Sequence, residues 1–180
     1  VKADITLIFL NAAQTSAHQD ASLLSQAGFT GKKEQICVLH ERRTIFCGIE
    51  DLENESIRNQ MVSVVKMLKN FTYTTLKLSP LNLELFSAMI DGIVLGNYQF
   101  TSYKSEVPSQ SFNEVVFAVS DTEESKQYSA LLEESLIIAH ATNFVRDLVN
   151  QTPYDMTPSE MALTAQLLAQ NNQLECTVLD

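Results

Sequence analysis

Short apolar runs rich in β-branched and aromatic residues alternate along this sequence with longer segments whose apolar residues recur every three or four positions. ITLIFL (5–10), QICVLH (35–40), TIFCGI (44–49) and NEVVFAVS (113–120) read as strands buried on both faces. TTLKLS (74–79) alternates as a half-buried strand does. Between these runs, Ile57, Met61, Val64, Val65 and Leu68 form one helical stripe, and Leu85, Phe86, Met89, Ile90, Ile93 and Val94 a second, broader one. A short helix is expected near 21–27, within the polar stretch after the first run. Strand and helix in alternation predict an α/β fold, a mixed or parallel sheet flanked by helices.

The remaining sequence limits what such a fold can do. At 180 residues there is room for one core and the start of another. An apolar share of 45% with 19% charged residues is that of a globular chain, not a disordered one. The net charge of −10, with no Lys/Arg cluster to relieve it, argues against nucleic acid, whose binding draws on cations that displace counterions. ITLIFL falls far short of the roughly 20 residues that cross a bilayer and lacks the flanks of a secretory signal, so a cytoplasmic location is expected.

Three cysteines, Cys37, Cys47 and Cys176, show no metal-binding spacing. A hairpin centred on Arg42 would set Cys37 opposite Cys47; two buried reduced thiols are the expectation in a cytosolic chain. Gly92 and Gly96 weaken the second helix in isolation and suit a face that a neighbour approaches closely.

The longest helical pattern carries Tyr128, Leu131, Leu132, Ile138, Ala139, Val145 and Val149, after a cap from Ser120 or Asp121. A helix over 122–149 would span roughly 40 Å at 1.5 Å per residue, a length suited to bridging two domains. Pro153 cannot continue it, so it should stop near Asn150. Thr157, Pro158 and Glu160 are a helix start signal, and Met161, Ala165 and Leu168 carry the next stripe. LECTVL (174–179) is expected to begin a strand. A helix and one strand cannot bury a core, and the chain begins at Val1, so a trimmed chain with more sequence after Asp180 is expected.

Helix punctuation accounts for the prolines but not for Arg146, Asp147, Leu148 and Asn150 standing together before them. The run NFVRDLVNQTPYDMTPSEMALTAQLL resembles the interdomain segment of the leucyl aminopeptidase (cytosol aminopeptidase) family, close to N-x-x-R-D-L-x-N-x-P-P-N-D-x-T-P followed by a helix. Asn143, Arg146, Asp147, Leu148, Asn150, Pro153, Asp155, Thr157 and Pro158 match; Thr152 replaces a proline and Tyr154 an Asn. DGIVLGNYQFTSYK (91–104) and RTIFCGIED (43–51) are weaker echoes, the latter with Glu50 in place of a glycine.

The resemblance implies an N-terminal domain similar to macro domains over 1–121, an interdomain helix and loop over 122–157, and over 158–180 the start of a C-terminal catalytic domain. The site residues it singles out, Arg146, Asp147, Asn150, Pro153, Thr157 and Pro158, are structural members of the linker. Members of the family remove N-terminal residues from peptides, commonly as hexamers, with two Zn or Mn ions held by a Lys and several carboxylates. Two metals acidify a bridging water and polarise the scissile carbonyl. Those ligands, including a motif like N-T-D-A-E-G-R, belong to the catalytic domain, and no such motif occurs here. The implied partners are therefore the catalytic domain of the same protein and further copies of the chain. Catalytic and metal-binding residues are expected to be absent from these 180 residues.

Other constellations read more plainly. His18, His40 and His140 are scattered; His40 suits a turn beside Glu41 and Arg42, and His140 a helix surface. Asp51, Glu53 and Glu55 lack the Gly and Glu that would complete a calcium loop. No G-x-S-x-G elbow occurs. Tyr98, Phe100 and Tyr103 have only Lys104 as a basic neighbour and are expected to pack. The rival reading is a stand-alone macro-like module for an ADP-ribose-type ligand. None of Gly28, Gly31, Gly48, Gly92 and Gly96 forms the G-x-G loop that phosphate cradles usually open with.

Overall fold

The computed structural model describes residues 4–50, 52–71, 73–106 and 113–179. The chain divides into two compact units, Val1–His140 and Ala141–Asp180.

In the first unit the five apolar runs become β1 (Ile5–Leu10), β2 (Ile36–Leu39), β3 (Thr44–Gly48), β4 (Thr75–Leu78) and β5 (Glu114–Phe117), in the order β2-β3-β1-β4-β5. β3, β1, β4 and β5 run parallel, and β2 pairs antiparallel with β3. The helices are α1 (Ala12–Ala17), α2 (Ala21–Gln26), α3 (Asn54–Leu68), α4 (Leu83–Asn97) and α5 (Thr122–Asn150), which continues into the second unit.

Parallel strands need cover on both faces. On one face Ile5, Leu7, Ile45, Cys47, Leu76 and Leu78 meet the expected stripes of α3 and α4 and Tyr128 of α5. The Phe86 ring packs edge-on against Phe117 and Tyr128, each centroid 4.8 Å away. Close helix packing here depends on the two glycines of α4. A Cβ on Gly92 would lie 2.5 Å from the Arg58 carbonyl oxygen and from Met61 Cβ, and one on Gly96 would lie 3.0 Å from Val62 Cα. Lys69 donates to the Gly96 carbonyl at 3.3 Å, and burial together with Lys66 lowers its pKa.

On the other face Leu10, Cys37 and Phe46 pack with Leu24 of α2 and with Phe29. α1 went unread in the sequence although Asn11 and Gln14 form a reciprocal capping box, the side chain of each accepting the other's backbone N–H at 2.9 Å.

The cysteine pairing across the hairpin is corrected. The connection is a 3-10 turn, His40–Arg42, closed by Arg43 in the left-handed region at φ 49°. It sets Cys37 opposite Phe46 and Cys47 opposite Ile36. Neighbouring residues of a strand face opposite ways, so the two thiols lie in different cores, and both are free. Burial raises the pKa of each.

In α5 the stripe divides. Tyr128 and Ala139 are buried and Leu131, Leu132 and Leu136 partly so, with Ser135 donating to Ser87 of α4 at 3.0 Å. Ile138, Val145 and Val149 are exposed. In the second unit α6 (Pro158–Asn171) forms as expected. Its expected stripe is in place but uncovered: Met161 and Leu168 are exposed, and Ala169 is the buried residue of the helix. The strand expected over 174–179 does not form; the segment is exposed, and its first residue, Leu174, donates its N–H to the Ala169 carbonyl of α6 at 2.8 Å. A strand is stable only where a neighbour takes up its backbone N–H and C=O groups, and among the described residues no strand is paired with it.

Candidate functional site

The linker after α5 is built by local chemistry. α5 ends at Asn150, two residues before the Thr152–Pro153 bond, where the proline ring forbids further helix. The Thr152 carbonyl accepts the N–H groups of Asp155 at 3.0 Å and Met156 at 2.9 Å, and its hydroxyl donates to the Asp155 carboxylate at 2.7 Å. Thr157 then caps α6, its hydroxyl accepting the Glu160 N–H at 3.3 Å, with Pro158 in the first turn where no N–H is needed. Thr152, a departure from the family pattern, thus organises the turn; its signal in the sequence was a hydroxyl three residues before an Asp. Tyr154, the other departure, is 91% exposed.

Of the remaining linker residues, Arg146 lies one turn above Asn150 and donates to the Asn143 side chain at 3.3 Å, and Asp147 follows it in the last turn of the helix. Exposed apolar side chains crowd this unit: Phe144, Val145, Val149, Met161, Leu163 and Leu167.

In the first unit the histidines stay apart. His40 sits in the hairpin turn, 3.4 Å from the Tyr73 hydroxyl and against the Phe71 ring; His140 is exposed. His18 stacks edge-on against Phe46 and accepts the Asp20 N–H at 3.1 Å. Glu53 precedes α3 and Glu55 pairs with Arg58, which also reaches Asp91; Asp51 lies outside the described residues. Phe100 and Tyr103 pack edge-to-face at 5.5 Å. Among the described residues no three His, Cys, Asp or Glu side chains converge as metal ligands would, so they do not fit a two-metal centre.

Two crevices open at the ends of the sheet. One, of about 510 Å³, lies at the start of β1 among Asp4, Arg43, Phe71 and Tyr73. Asp4 accepts both the hydroxyl and the N–H of Thr74, and these bonds lower its pKa. The other, of about 420 Å³, runs along residues 6–9 of β1 and past the C-terminal end of β4 over residues 77–81, with Ala118. Sequence reasoning missed it, because it exists only through strand order.

No protein-family model matches the chain. It is 31% identical over 190 residues to a probable cytosol aminopeptidase of Wolinella succinogenes, covering all of this chain and 39% of that protein. A solved tomato leucine aminopeptidase mutant superposes on 96% of this chain and 40% of its own, with a TM-score of 0.78 and 16% identity. The bottromycin maturation enzyme BotP, solved in complex with Mn, covers 98% of this chain and 38% of its own, with a TM-score of 0.74 and 21% identity. The chain therefore spans about two fifths of the length of the relatives it matches. No helix among the described residues is long and apolar enough to cross a membrane. With an α/β fold shared with leucine aminopeptidase and a Wolinella relative that matches the whole of this chain over 39% of its own length, the chain corresponds to the N-terminal part of leucyl (cytosol) aminopeptidases.

Proposed function

We propose that this chain is the non-catalytic N-terminal part of a cytoplasmic metalloaminopeptidase that removes N-terminal residues from peptides, with a macro-like domain over 1–121, a linker over 122–157 and the first catalytic-domain segment over 158–180. The observation that carries this reading is the alignment of the entire chain with only 39% of its Wolinella relative. In this reading the two Mn or Zn ions belong to the part of such proteins that the chain does not span, and so does the hydrolytic chemistry.

The chain's own work is mechanical. Arg146, Asp147 and Asn150 secure the end of α5, while Pro153, Thr157 and Pro158 stop one helix and start the next. The exposed apolar side chains of α5 and α6 are what a catalytic domain in the same protein would cover. Assembly into a homo-oligomer, a hexamer in this reading, is the second role of the N-terminal domain.

The test is hydrolysis of leucine p-nitroanilide by the purified 180-residue chain with added Mn²⁺ or Zn²⁺. No chelator-sensitive turnover is expected; turnover that a chelator abolishes would refute the assignment.

A further inference from the structure

The 420 Å³ crevice is set apart by strand order. The connection leaving β1 goes to the β3 side of the sheet and the one leaving β4 goes to the β5 side. Neighbouring parallel strands whose connections part in this way leave a gap beyond their C-terminal ends, where open α/β sheets take their ligands. The volume lies within the range of small-molecule sites, and the walls are mainly apolar, from Ile8, Phe9, Leu81 and Ala118.

Among the described residues Lys77 is the only charged one lining this crevice. It is exposed, stands opposite Thr6 of β1 and Val116 of β5, and among the described residues its ammonium has neither an ion pair nor a hydrogen-bond partner. The nearest carboxylates by register, Glu114 and Asp4, are engaged elsewhere, Glu114 by the Thr75 hydroxyl at 3.4 Å and Asp4 by the N–H and hydroxyl of Thr74. A cation on the wall of a mainly apolar crevice calls for an anion with an apolar body. Among the described residues no lining acid would receive the ammonium of a zwitterion, and a single lysine matches one negative charge better than a diphosphate.

We propose that the crevice between β1 and β4 binds a small apolar monocarboxylate, with Lys77 as the carboxylate anchor. The inference is independent of any peptidase activity.

The experiment follows the backbone amide spectrum of the ¹⁵N-labelled 180-residue chain on titration with 4-methylpentanoate and, separately, with 4-methylpentanamide. Saturable shifts confined to residues 6–9, 77–81 and 118 are expected, with the acid binding about tenfold or more tightly than the amide. Lys77→Met should abolish that preference and Lys77→Arg should keep it. Equal binding of acid and amide by the unaltered chain overturns the proposal without recourse to any variant. It is also overturned if Lys77→Met retains the preference, or if ADP-ribose shifts the same amides at lower concentration than the acid.

Discussion

Asp4 shows how one residue ties distant segments together. Its carboxylate takes two hydrogen bonds from Thr74, joining the start of β1 to the start of β4, and the hydroxyl bond is the larger cause of its lowered pKa. A carboxylate whose pKa is lower when folded stabilises the fold above its unfolded pKa of about 4, and that contribution is lost as pH falls through the folded value. Thr74→Val should therefore lower the thermal midpoint at pH 7, with the gap from the unaltered chain closing below about pH 4; a gap that persists at pH 2.5 would rule this out. None of this was legible in the sequence, since Asp4 and Thr74 are far apart in it. Thr157 was legible, because a cap is satisfied by the N–H three residues on.

Helices and strands obey a mixture of local and distant rules. The stripes of α3 and α4 were readable because 3.6-residue periodicity is a local property, and the glycines of α4 announced a close neighbour without naming it. The structure names Arg58 and Met61. Gly92→Ala should cost about 1–3 kcal/mol in urea denaturation, as overpacking does when backbone must move. Gly28→Ala, whose Cβ would meet open space, should cost only the strain of a non-glycine residue at φ +73°. A Gly92→Ala chain as stable as the unaltered one would show that crowding between α3 and α4 is not what Gly92 relieves. The cysteine register failed for the reverse reason. A hairpin's register follows from its turn, and the left-handed Arg43 shifts the pairing by one residue, which moves a thiol to the other face.

For the whole molecule, the second unit matters most. Val145 and Val149 are 55% and 77% exposed, so Val145→Lys with Val149→Lys should change the stability of the 180-residue chain by no more than about 0.5 kcal/mol per site. In a longer protein that carries the catalytic domain, the same pair should reduce the soluble yield and the aminopeptidase activity. Unchanged yield and activity there would place the domain contact elsewhere.

Sequence alone determined the alternation of strands and helices, the end of α5 near Asn150, the cap of α6 and the family resemblance, because each rests on neighbours within a few positions or on a short motif. Tertiary structure alone decided the order β2-β3-β1-β4-β5, the separation of Cys37 from Cys47, the exposed, non-strand state of 174–179 and the crevice around Lys77. Each of these depends on which backbone edges meet, and hydrogen bonding between strands carries no mark in the order of residues that make it.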